Sequence, residues 1–93
     1  MRYVKVEWEH DFPDDPVLYF SEIGEDDYEI RKVQLYRDGR TEWANGNHET
    51  ATVGLAEIPF PSVEEISSQS DCRAELITSE EFERAWSAAQ ASA

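Results

Sequence analysis

Basic residues are scarce in this sequence: eight Lys and Arg stand against 21 Asp and Glu in 93 residues, a formal net charge of −13. A chain charged in this way repels nucleic acid and anionic membrane surfaces, so neither is an expected partner. A basic protein is the partner class that the charge favours, although the same charge also serves solubility. Cysteine occurs once, at Cys72, which excludes an internal disulfide framework. No stretch approaches the roughly 20 apolar residues of a membrane-spanning helix. The opening M-R-Y-V-K-V-E-W-E-H is interspersed with charges and carries no apolar run of signal-peptide length, so the expected location is the cytoplasm. Also missing are a nucleophile elbow, a glycine-rich phosphate loop, an H-E-x-x-H pair and the paired-cysteine spacing of a zinc site. No catalytic residue, cofactor or metal is expected from these absences, and a binding protein is favoured over an enzyme.

What is present is enough apolar material for a core. Hydrophobic residues make up 40% of the chain, with three Trp, four Tyr and four Phe, so disorder is not expected despite the charge. The length corresponds to one domain, 1–93, able to bury about 60–70% of its unfolded surface. Its centre is Tyr28 to Ala44, which reads as a β-hairpin turning at Arg37-Asp38-Gly39. A two-residue Asp38-Gly39 turn would mix apolar and polar residues on each face. A type I turn at Arg37-Asp38 with Gly39 as a left-handed bulge pairs Leu35 with Thr41 and Val33 with Trp43. That register gathers Val33, Leu35 and Trp43 on one face and is the expected one.

Either side of the hairpin the period changes. Arg2 to Glu9 alternates, with Val4, Val6 and Trp8 on a buried face and Tyr3, Lys5, Glu7 and Glu9 on a wet one. Val17 to Ile23 is dense in β-formers on both faces, as an interior strand would be. In the hairpin's first arm Tyr28 and Ile30 share one parity, Val33 and Leu35 the other. This predicts either a bulge near Arg31-Lys32 or a strand buried on both faces at different ends, with Arg31 and Lys32 paired to glutamates. Thr50 to Ile58 reads as the last major strand, weakened or bulged at Gly54 and stopped by Pro59 and Pro61. Ser62 and Glu65 form a capping box for a short helix, and Ala74 to Ile77 is extended. Thr78 then caps a helix to Gln90. Its capping box closes at Glu81, Ile77 staples to Phe82, and Phe82, Ala85, Trp86 and Ala89 form one apolar stripe.

Few residues invite a chemical role. His10, Asp11, Asp14 and Asp15 cluster around Pro13, but a calcium loop needs a glycine at its bend and none is there, so a solvated turn is the better reading. Cys72, beside an aspartate, has no reason for a lowered pKa. Trp8 and Trp43 are read as core rather than as binding platforms. The feature that stands out is Glu22, Glu25, Asp26, Asp27 and Glu29, five carboxylates within eight positions. They are either a solvated connection or an electrostatic docking patch for a basic partner.

The segment R-Y-V-K-V-E-W-E-H-D-F-P-D-D-P-V, the Y-E-I-R-K-V-x-L-Y-R-D-G-R hairpin and the later E-I-P-x-P and S-x-E-E-F segments together resemble a group of small bacterial single-domain proteins of unknown function. The resemblance runs to about Trp86. It implies a bacterial, stand-alone domain and carries over no activity and no catalytic residues. The expected fold is therefore α+β: a mostly antiparallel sheet of four to six strands with the C-terminal helix packed on one face. Three functional classes follow. The first is a non-catalytic protein-binding module, an immunity- or antitoxin-like inhibitor of a basic partner. The second is a small-molecule-binding or metabolic enzyme domain with a site between sheet and helix. The third is a structural subunit that dimerises through an edge strand; the expected state is monomer or homodimer.

Overall fold

The computed structural model describes residues 1–50 and 53–91. Five strands, β1 (Arg2–Trp8), β2 (Pro16–Ile23), β3 (Glu29–Tyr36), β4 (Thr41–Ala44) and β5 (Cys72–Ile77), form one sheet in the order β4-β3-β2-β1-β5. Every pairing is antiparallel. A short helix α1 (Val63–Ser67) precedes β5, and α2 (Ser79–Ala91) follows it. The architecture is the expected α+β one.

The hairpin adopts the bulged register, with Val33 opposite Trp43 and Leu35 opposite Thr41. The Gly39 amide donates to the Tyr36 carbonyl at 3.0 Å, closing the turn over Arg37-Asp38. Gly39 itself has φ +90°, where a side chain at Cβ would be strained even with open space around it. The phase change in β3 is a bulge one residue earlier than expected. Glu22 pairs with Arg31 and Ile23 with Glu29, so Ile30 is the extra residue. Tyr28 and Ile30 are consequently exposed rather than core.

Both faces of the sheet are covered. On one, α2 lays Phe82, Trp86 and Ala89 on Val33, with Tyr3, Phe20, Trp43 and Ile77 around them. Both ends of the sequence signal hold: the Thr78 hydroxyl accepts from the Glu81 amide at 3.1 Å, and Ile77 packs in the cluster with Phe82. Tyr3, expected on a wet face, lies tilted 5.4 Å from the Phe82 ring because α2 crosses there. On the other face Val4, Val6, Ile23 and Ala74 meet Ile66 of α1, with Tyr19, Phe60 and Val63 packed against them. The Ser62 hydroxyl caps α1 through the Glu65 amide at 3.1 Å.

The strand expected over Thr50 to Ile58 is not formed. Its residues 51 and 52 lie outside the described residues, and 53–58 have no strand partner. They instead run as a strap over the β1–β3 surface, with the backbone satisfied by side chains. The Val53 amide donates to the Thr50 hydroxyl at 3.1 Å, Leu55 to a Glu49 carboxylate at 2.7 Å and Ala56 to Glu29 at 2.9 Å. Lys32 donates to the Gly54 carbonyl at 3.0 Å. Each of these replaces a ladder bond that a sheet would have supplied.

Candidate functional site

The acidic run divides in three dimensions. Glu22, 6% exposed, receives Arg31 through Nε to Oε1 at 2.5 Å and Nη2 to Oε2 at 3.1 Å. The same guanidinium reaches Glu83 of α2 at 3.1 and 2.7 Å and lies 4.8 Å above Phe82 and 5.0 Å from Trp86. Arg31 thus ties helix to sheet by charge and by cation–π contact. It holds the Glu83 carboxyl below its usual range, and the two carboxylates raise its own pKa further. Burial raises the Tyr3 phenol, with the neighbouring Glu22 carboxylate adding to it.

Glu29 is buried against the strap-covered face. It accepts from the Ser21 hydroxyl at 2.7 Å and from the Ala56 amide, and it forms an ion pair with the Lys32 ammonium at 3.1 Å. Two of the five carboxylates expected in a docking patch are therefore internal, and Glu25, Asp26 and Asp27 are the ones that face solvent. Glu22 shares a strand face with Phe20 and lies opposite Arg31, which is the sequence signal that could have found it.

The three exposed carboxylates sit on a rigid connection. The Gly24 amide donates to the Tyr28 carbonyl at 2.9 Å and the Asp27 amide to the Gly24 carbonyl at 3.0 Å. Asp26 Oδ1 caps the Tyr28 amide at 3.1 Å. Asp27 takes φ 68°, a conformation that aspartate tolerates, and its carbonyl accepts from Phe60 at 2.7 Å. A side chain at Gly24 would stand 3.0 Å from Asp26 Oδ1 and 3.1 Å from Ile30 Cδ1, so the loop closes tightly around this glycine. Beside it runs a shallow groove of about 720 Å³ between Met1, Glu25, Asp26, Tyr28 and Ile30. Met1 is 70% exposed, Tyr28 42% and Ile30 37%, so apolar side chains stand in water next to carboxylates. This arrangement offers contact area and charge.

The other residues singled out by the sequence are occupied. His10 Nδ1 accepts from the Phe12 amide at 3.0 Å and Nε2 donates to the Pro16 carbonyl at 2.8 Å, so the ring ties its own turn together. The ring also lies tilted 4.0 Å from Trp8, whose indole donates to Asp71 at 3.1 Å. Trp43 stacks on His48 at 3.9 Å and meets Trp86 edge-on at 5.3 Å. Burial and Asp71 push the Cys72 thiol up, away from a reactive thiolate. Among the described residues no three His, Cys, Asp or Glu side chains converge as a metal would require. One network was not foreseen. Buried Tyr36 donates to Glu42 and accepts from Gln34 at 3.3 Å, with Arg40 4.2 Å above its ring. Burial and then Glu42 raise its phenol to about 12.

The sequence model of one family, described as a domain of unknown function (DUF6881), matches residues 2–91. The chain belongs to the DUF6881 family. The match runs from the start of β1 to the end of α2, so the sheet and both of its covers are the family's own unit. Neither the curated proteins nor the solved structures give a match to it. Among the described residues, no helix is long and apolar enough to cross a membrane.

Proposed function

We propose that this DUF6881 domain is a non-catalytic protein-binding module of the immunity or antitoxin kind, working in a bacterial cytoplasm on a basic partner. The observation that carries the reading is the groove at the β2–β3 connection, where Met1, Tyr28 and Ile30 are exposed beside Glu25, Asp26 and Asp27. Exposed apolar side chains rimmed by charge of one sign have the composition of an interface, with an anchor for affinity and a rim for steering. The loop is prearranged by its own hydrogen bonds, which lowers the ordering cost of binding. Self-pairing through β5 is less favoured, because the Ser67 hydroxyl already accepts from the Ala74 amide at 3.0 Å and donates to its carbonyl at 3.3 Å.

The test is photo-crosslinking from position 28 in the native cell, with a control crosslinker at exposed Arg84 on α2. The reading expects a basic protein captured from 28 and not from 84. For that protein, Glu25→Lys should slow association about tenfold at low salt and little at high salt. Tyr28→Ala should mainly accelerate dissociation. Equal capture from both positions, or association indifferent to salt and to Glu25→Lys, would contradict it. Asp26 and Asp27 are left in place because both build the loop.

A further inference from the structure

The strap borders a half-open pocket. Between strap, α1 and sheet lies a space of about 180 Å³ lined by Val6, Tyr19, Ala56, Phe60 and Ile66, with Ser21, Glu29 and Lys32 at its polar wall. An apolar cavity of about 150 Å³ is already enough to admit benzene. The polar wall is specific in character. Ser21 is 1% exposed, and the side chains of Glu29 and Lys32 are 0% and 17% exposed. The carboxylate is fully engaged by the Ser21 hydroxyl, the Ala56 amide and the Lys32 ammonium. The ammonium has three N–H donors; it donates to the Gly54 carbonyl and is ion-paired with Glu29, so it keeps donor capacity for a ligand.

We infer that this pocket binds a small neutral molecule, an aromatic or branched aliphatic compound carrying one hydrogen-bond acceptor for Lys32. Size follows from the volume, roughly six to eight non-hydrogen atoms. Neutrality follows from the wall: Glu29 and Lys32 cancel, so an ionic ligand would bring an uncompensated charge into a mostly apolar space. The acceptor follows from the spare ammonium donor. The strap is one wall of this site, which gives a reason for a β-rich sequence to leave the sheet. It is anchored at Gly54, Ala56 and, through the Asp27 carbonyl, Phe60, so it can lift without breaking any ladder pairing. The inference is independent of the groove, and its test needs no protein partner.

The experiment is an amide-resolved NMR titration of the full chain with phenol, benzene and benzoate as probes. Phenol should give saturable shifts centred on Val6, Ala56 and Ile66, with benzene about tenfold weaker and benzoate producing none. Ala56→Leu should keep the dispersed spectrum and lose the phenol response. If that variant does not fold, the three probes on the parent chain still decide. Absence of saturable shifts at these amides, or benzoate binding as well as phenol, would overturn the inference.

Discussion

On one side of the sheet a thirteen-residue helix rests on its apolar stripe; on the other, a five-residue helix and an irregular strap share the cover. The first closure is apolar, with Phe82, Trp86 and Ala89 seated among Tyr3, Phe20, Val33 and Trp43. The second has apolar residues of its own, with Ile66, Val63 and Phe60 on Val4, Val6 and Ile23, but its strap is also tied through one buried carboxylate. Glu29 holds the strap at Ala56 and, through Lys32, at Gly54. The helix face contains a carboxylate as well, but Glu22 serves it differently, by fixing the Arg31 side chain that then covers Phe82 and Trp86. The comparison teaches that two glutamates seven positions apart in one acidic run can close opposite faces. The helix closure is continuous, whereas the polar tie of the strap is local and can be undone without disturbing the sheet.

The largest effect should come from the helix face. Trp86 is 8% exposed and in contact with Trp43 and Phe82, so Trp86→Ala should cost about 3–5 kcal/mol through lost burial and the cavity left behind. A chemical denaturation midpoint unchanged from the parent would mean that α2 is not docked through this stripe. The strap face should respond less. Glu29→Gln keeps the side-chain shape but leaves Lys32 without its counter-charge, and the expected loss is about 1–3 kcal/mol. A loss as large as that of Trp86→Ala would break the contrast between the two closures.

The smallest effect belongs to Glu83, whose side chain is 51% exposed and screened by solvent. Its pKa is lowered from the ordinary 4.5, chiefly by its hydrogen bonds to Arg31. A carboxyl depressed in the folded state stabilises above its unfolded pKa, and the benefit is lost as pH falls through the folded value. The stability difference between the parent and Glu83→Gln should therefore be present near neutrality and vanish in acid. A difference that grows on acidification would contradict the assigned role of Arg31.

Legibility in the sequence follows the same division. Thr78, Glu81 and the Phe82–Ala89 stripe state the helix locally, because capping and period 3.6 are short-range signals. The hairpin register was equally local, set by Gly39 and by the parity of Val33 and Trp43. The strap was not legible. Its β-branched residues satisfy the strand pattern, yet Ala56 and Gly54 are held by Glu29 and Lys32, side chains more than twenty residues away. The division of the acidic run was half legible for a related reason. Counting charge along the chain finds the run from Glu22 to Glu29, but only the bulge at Ile30 and the partners Arg31, Ser21 and Lys32 decide which carboxylates turn inward. The same bulge puts Ile30 outside, which periodicity alone assigned to the core.

The independence of the two closures is tested most directly by amide hydrogen exchange in Glu29→Ala, resolved by residue. The account predicts that the Ala56 amide, freed from its carboxylate acceptor, speeds up at least about tenfold more than the amides of Phe82 and Trp86. Equal acceleration at all three, or an unchanged rate at Ala56, would show that Glu29 does not hold the strap and that the sheet is closed as one unit.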